Sequence, residues 1–123
     1  MAEHDEQVAV VKWFRLQYPK FKGCLFSIPN GSFLAGKPYQ RANQMKKLKK
    51  EGFKNGVSDL FLAVPKNGYS GLWVEMKDKG KTKCDVSKEQ QEHLDLMREM
   101  GYGAVWCAGA DAAISQIKGY MGD

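Results

Sequence analysis

Ser58-Asp59-Leu60-Phe61-Leu62-Ala63-Val64-Pro65-Lys66-Asn67-Gly68-Tyr69-Ser70-Gly71-Leu72-Trp73-Val74-Glu75-Met76-Lys77 is the stretch that decides how this chain folds. Leu60 to Val64 is an unbroken apolar run, and Leu72 to Lys77 reads as a second strand. Pro65-Lys66-Asn67-Gly68 between them is dense turn chemistry, and Asn-Gly is the strongest short-range signal for a hairpin. Folding about Asn67-Gly68 pairs residues whose numbers sum to about 135, which sets Asp59 opposite Met76 and Leu60 opposite Glu75. The two carboxylates then arrive at the same end of the hairpin. Alternation on the second strand puts Glu75 and Lys77 on one face, roughly 7 Å apart at ~3.3 Å per residue. Two acids and a lysine converging at a strand end of a basic protein suggest metal-dependent cleavage of a phosphodiester.

An Asp after Gly56-Val57-Ser58 can also simply close a turn, and Glu-x-Lys on a strand is often a solvated face. Two features weigh against that bland account. Leu60 to Val64 has no polar alternation, as expected of a central strand covered on both sides. The second strand is nearly as apolar, so Glu75 is expected to be half-buried and to need a cation or hydrogen-bond donors to keep its charge.

A chain of 123 residues makes one domain, with room for a real core but not for two. Apolar content is 43%, and no apolar run approaches the length of a membrane span. The opening Met-Ala-Glu-His-Asp-Glu is acidic and helical in character, so no secretory signal is expected. Cys24, Cys84 and Cys107 are odd in number and lie far from one another and from zinc-ligand spacing. They read as free thiols of a reducing cytoplasm.

Net charge is +5, and 12 of the 19 basic residues sit in two segments. Lys37, Arg41, Lys46, Lys47, Lys49, Lys50 and Lys54 form one; Lys77, Lys79, Lys81, Lys83 and Lys88 form the other, beside the acids. Lysine-rich helix faces also occur for solubility alone. A polyanion partner is the natural inference all the same, and nucleic acid fits better than a membrane.

Along the chain, Glu6 to about Tyr18 reads as a helix ended by Pro19, with Val10, Trp13 and Phe14 on its apolar face. Glu6 falls on the side facing the core, an expensive place for a carboxylate unless it joins a charged site. Glu3 and Asp5 are its rivals, Asp5 pointing elsewhere and Glu3 lying where the helix is expected to fray. Phe21 to Ile28 reads as a strand containing Gly23, and Tyr39 to Glu51 as a helix carrying the first basic segment. Asp78 to Val86 reads as a loop, and Ser87 to Met100 as a helix opening on the Ser-x-x-Gln capping pattern. Gln90 can cap that helix, point at the acids, or do both. Ala104 to Cys107 reads as a short strand and Ala110 to Tyr120 as a closing helix. The order α-β-α-β-β-α-β-α predicts an α/β fold, a mixed sheet with helices on both faces. His4, in a terminus, and His93, on a helix without a partner motif, look bland.

These pieces resemble the virus-type replication-repair nuclease (VRR-NUC) domain of the PD-(D/E)XK superfamily, particularly its short stand-alone phage-type members. The resemblance runs from about Glu3 to Gly119. It rests on Glu6-Gln7-Val8, Ile28-Pro29-Asn30-Gly31, Gly56-Val57-Ser58-Asp59, Glu75-Met76-Lys77, Ser87-x-x-Gln90 and the Gly101-Tyr102 step, in that order. One departure is Ser58, where the family usually has Pro; proline there would only stiffen the turn. The resemblance implies a restriction-endonuclease-like core and a Mg²⁺- or Mn²⁺-dependent endonuclease. It further implies Glu6, Asp59 and Glu75 as metal ligands, the Met76 carbonyl as another, and Lys77 and Gln90 as site residues.

Two functional classes remain at this point. One is a structure-selective DNA endonuclease, a Holliday-junction resolvase above all, with flap and restriction-type nucleases open because no element obviously reads bases. The other is a non-catalytic DNA- or RNA-binding module on a nuclease scaffold, disfavoured because the acids and Lys77 are all present. A resolvase is expected to act as a homodimer on four-way junctions, in the bacterial host cytoplasm if phage-encoded. Phe33, Leu34 and Tyr39 are candidate apolar contacts between copies.

Overall fold

A computed structural model describes residues 2–29 and 34–123. Helix α1 (Glu3–Gln17) leads through a 3-10 turn (Pro19–Cys24) into β1 (Leu25–Ser27). Then follow α2 (Pro38–Lys50), β2 (Leu60–Leu62), β3 (Leu72–Lys77), α3 (Lys88–Glu99), β4 (Gly103–Ala108) and α4 (Ala110–Met121). The sheet runs β1-β2-β3-β4; the first three strands are antiparallel neighbours and β4 lies parallel to β3 across the α3 crossover. The hairpin strands are the two central ones, as their lack of polar alternation implies. Asn30, Gly31 and Phe33 lie outside the described residues, so part of the Ile28-Pro29-Asn30-Gly31 piece and one proposed apolar contact do too.

One face of the sheet carries the core. Val10 and Phe14 of α1 and Ala113, Ile117, Tyr120 and Met121 of α4 cover Leu25, Leu60, Leu62, Leu72, Val74, Met76 and Cys107. Trp13 packs against this core only partly buried. Helix α3 lies on the opposite face, where His93 meets Trp73 edge-on. No helix among the described residues is long and apolar enough to cross a membrane.

Two strand expectations are corrected. The strand expected over Phe21 to Ile28 is a 3-10 turn followed by three residues of β1. Pro19 sets the backbone for a turn, and the Phe21 N–H donates to the Tyr18 carbonyl at 2.9 Å. The hairpin register also differs by one residue. At the tip Lys66 and Tyr69 exchange hydrogen bonds around Asn67 (φ 51) and Gly68 (φ 84), as the Asn-Gly turn demands. The strands, however, pair Leu60 with Val74, Phe61 with Trp73 and Leu62 with Leu72. The first arm therefore holds one residue more than the second between tip and ladder. Pro65 has no N–H to offer a partner strand, and the Val64 carbonyl accepts from the Tyr120 hydroxyl instead. Val64 thus leaves the strand that its apolar run predicts for it, while staying buried.

Candidate active site

The corrected register brings the acids closer than the symmetrical hairpin would, because Asp59 continues the ladder opposite Glu75 rather than Met76. Ile28 N–H donates to the Asp59 carbonyl at 2.9 Å, so the Asp59 backbone faces β1. Toward β3, Asp59 and Glu75 therefore form a non-hydrogen-bonded antiparallel pair, the kind with the closer side chains. Phe61 and Trp73, one such pair further along, have ring centroids 4.4 Å apart. Met76 points its N–H to the side where β2 has ended, and Asp59 Oδ2 accepts it at 2.8 Å. A strand residue projects its C=O to the same side as its N–H, which puts the Met76 carbonyl beside Asp59 as well.

Glu75 is 2% exposed. Its Oε2 accepts from Gln90 Nε2 at 3.2 Å and lies 4.0 Å from Lys77 Nζ, while its Oε1 is buried with no hydrogen-bond partner among the described residues. Burial, and secondarily the neighbouring Asp59, push the Glu75 carboxyl up to about 9; Lys77 offsets this only in part. Gln90 plays both roles open to it. Its side-chain oxygen accepts from Ser87 N–H at 2.9 Å, Ser87 Oγ accepts from its backbone N–H, and its amide reaches Glu75.

The acid that the structure groups with Asp59 and Glu75 is not Glu6. Glu6 is buried as expected, but its carboxylate accepts the Ala110 N–H at the start of α4, where Gly109 offers no side-chain cap. A carboxylate at a helix N-terminus meets unpaired N–H groups and the positive end of the dipole, which removes the need for a metal there. Gly109 sits at φ 95, and a Cβ on it would lie 3.2 Å from Glu6 Oε2 and 3.3 Å from Lys79 Cβ. Glu3, nearly one turn earlier on α1, takes the expected place: ligand oxygens of Glu3, Asp59 and Glu75 lie within 4.8 Å of one another. Helix α1 begins at Glu3 instead of fraying there. The Glu3 carboxyl is raised, first by burial and then by Asp59. Asp78, which reads in the sequence as the start of a loop, adds to that field and buries an Oδ1 that has no partner among the described residues. Its adjacency to Lys77 is the one sequence signal that points to it.

The lysines divide. Lys77 and Lys81 act on Glu3 electrostatically, and Lys79 lies against Gly109. Lys83 is on a 3-10 turn beyond, and Lys88 faces Glu92 at 3.9 Å on the exposed side of α3. Lys37 is the N-cap of α2 and Arg41, Lys46, Lys47, Lys49 and Lys50 lie within it, away from the acids in sequence and all exposed. Lys54 stands near His93, whose titration is lowered by burial and then by that charge. His93 is buried with neither ring nitrogen bonded among the described residues, and the three cysteines are free thiols.

Three converging carboxylates, one with a buried unpartnered oxygen, form an all-oxygen donor set that suits a hard divalent cation. Without such a charge the site holds acids that resist ionising together. Residues 1–111 match the model of the VRR-NUC domain family. A solved structure described as a VRR-NUC domain protein has 26% sequence identity and a TM-score of 0.81, covering 98% of this chain and 88% of that one. No curated protein matches. The mixed sheet, the acid cluster at its end and the family match agree: the chain belongs to the VRR-NUC family of nuclease domains.

Proposed function

We propose that this nuclease domain is a divalent-metal-dependent endonuclease that cuts branched DNA, with the four-way junction as its preferred substrate. The observation that carries the proposal is the meeting of Glu3, Asp59 and Glu75 oxygens within 4.8 Å, with Lys77 and Gln90 on Glu75. Glu3, Asp59 and Glu75, with the Met76 carbonyl, are the residues that would hold Mg²⁺ or Mn²⁺. Such an ion, when bound, polarises the phosphate, acidifies a bound water and neutralises the leaving oxygen.

The chain's own groups do the rest. The Met76 N–H fixes the Asp59 carboxylate, and the Gln90 amide fixes Glu75, so neither acid has to reorganise when charge develops. Lys77 Nζ, 4.0 Å from Glu75, supplies a fixed positive charge for the crowded phosphate oxygens. Lys79, Lys81 and Lys83, in the loop leaving β3, supply phosphate contacts next to the cut. A junction has paired strands related by a two-fold axis, and a homodimer of this chain would present two such sites.

One gel tests the reading: four-way junction, flap and linear duplex, each with and without Mg²⁺. The expected result is junction cleavage in Mg²⁺ alone. Cleavage in chelator would remove the metal, and a flap cut in preference to the junction would replace the resolvase reading with a flap nuclease. No cleavage of any substrate would return the chain to a binding module.

A further inference from the structure

Helix α2 is the one α-helix among the described residues with no buried residue. Only Met45 and Leu48 are half-buried, and they share one side of it. Tyr39, Asn43, Lys46 and Lys50 fall at i, i+4, i+7 and i+11, a single stripe on the opposite side, with Lys47 flanking it. All five are exposed, Tyr39 by 63%. From Lys37 to Lys50 there is no acidic residue against six basic ones.

The helix is set off from the body by two glycines in the left-handed region. Gly36 (φ 99) makes room for the Gln40 side chain that accepts the Lys37 N–H, and Gly52 (φ 105) turns the chain back. The return segment is pinned at Gly56, where a Cβ would come within 2.5 Å of the Glu89 backbone. Glu89 precedes Gln90, which holds Glu75. The segment that follows α2 is thereby packed on α3, the helix that carries Gln90, while the outer face of α2 stays uncovered.

A lysine-rich surface that only attracts phosphates has no use for an amide at its centre. Asn carries an N–H donor group and a carbonyl acceptor at fixed spacing, the pair that matches the N7 and N6 edge of adenine in the major groove, and that groove is about 12 Å wide and admits a helix. We infer that the outer stripe of α2 enters the major groove of a DNA arm, Asn43 reading an adenine edge while Lys46, Lys47 and Lys50 hold the flanking phosphates. Six like charges repel a second copy of the same helix, so DNA fits this face better than α2 of another chain. The inference rests on DNA being the substrate and adds what the nuclease reading lacks, an element that selects where cutting occurs.

The test needs no cleavage. Metal-free protein is used to select duplexes from a randomised pool, and the bound fraction is sequenced. The parent is expected to enrich adenine at one position, and Asn43→Ala to lose that enrichment by about tenfold or more. Alanine favours the helix more than asparagine, so unfolding would not explain the loss. Lys46→Ala and Lys50→Ala should keep the enrichment and lower the slope of log K against log salt by roughly 0.9 for each phosphate left unneutralised. A parent without enrichment, or enrichment that survives Asn43→Ala, overturns the proposal. So does a set of α2 variants that bind DNA normally but change the oligomeric state in light scattering. Should DNA be selected in this way yet never cut, the nuclease reading fails alone.

Discussion

Two glutamates three residues apart on α1 have opposite employments. Glu3 reaches the acid cluster, whereas Glu6 caps α4 through the Ala110 N–H. Glu3→Gln should therefore abolish or cripple cleavage with little change in melting temperature. Glu6→Gln should do the reverse, costing about 1–2 kcal/mol because its amide oxygen can still accept the Ala110 N–H but the charge at the α4 N-terminus is gone, and leaving cleavage by the folded protein intact. Equal loss of cleavage in both at a temperature where both are folded would put Glu6 back among the ligands. Glu75 yields a pH prediction. Its folded value near 9 lies above the ordinary 4.5, so across that window the folded state keeps a proton that the unfolded state has lost. The contribution to stability is thus fully present below 4.5 and is lost as pH rises toward 9. Metal-free melting temperatures should fall across the window in the parent and much less in Glu75→Gln, which should also be inactive. A parallel fall in both would refute the assignment. Because a cation must displace that proton, metal affinity should rise with pH over the same range, with proton release in calorimetry. Lys77→Ala should lose on the order of 10²-fold in rate.

Elements are more legible in the sequence than the joints between them. The order α-β-α-β-β-α-β-α, the Asn67-Gly68 turn and the Ser87/Gln90 capping box all follow from local chemistry, and local chemistry is what a sequence displays. The register slip at Val64-Pro65 is not legible, because it depends on the Tyr120 hydroxyl arriving from 56 residues away. That slip decides whether Asp59 faces Met76 or Glu75, so the site can be read in composition but not in register. Helix α2 is legible in its bounds and its charge, and its isolation from the core comes only from the structure. Neutralising Lys46, Lys47, Lys49 and Lys50 together should weaken binding to every DNA sequence. The salt slope should drop by roughly 0.9 for each phosphate on duplex arms that no lysine then neutralises. An unchanged slope would leave these lysines as a solubilising face.

At the scale of the whole molecule, the choice of Glu3 over Glu6 shows why a site assembled from four elements resists sequence reading. In the structure Glu6 is drawn to the start of α4, over a hundred residues along the chain from α1, and Glu3 stands with Asp59 and Glu75 instead. The same scale governs assembly. Among the described residues each chain brings together one cluster of Glu3, Asp59 and Glu75, and under the proposed function one such cluster would cut one strand at a time. Resolving a four-way junction requires two nicks in strands related by a two-fold axis, and a C₂ dimer matches that symmetry with the fewest parts. Tyr39 is exposed on α2 and Leu34 half-buried ahead of it, so of these two apolar candidates Tyr39 is the one open to a partner. If Tyr39 lies in a DNA groove instead, the dimer must use another surface, and Tyr39→Ala then weakens DNA binding without dissociating it. Light scattering at micromolar protein, first alone and then with a junction, should give a dimer in at least the second condition. A monomer in both would leave one cut per encounter, enough for a flap or a nicked end and insufficient for a resolvase.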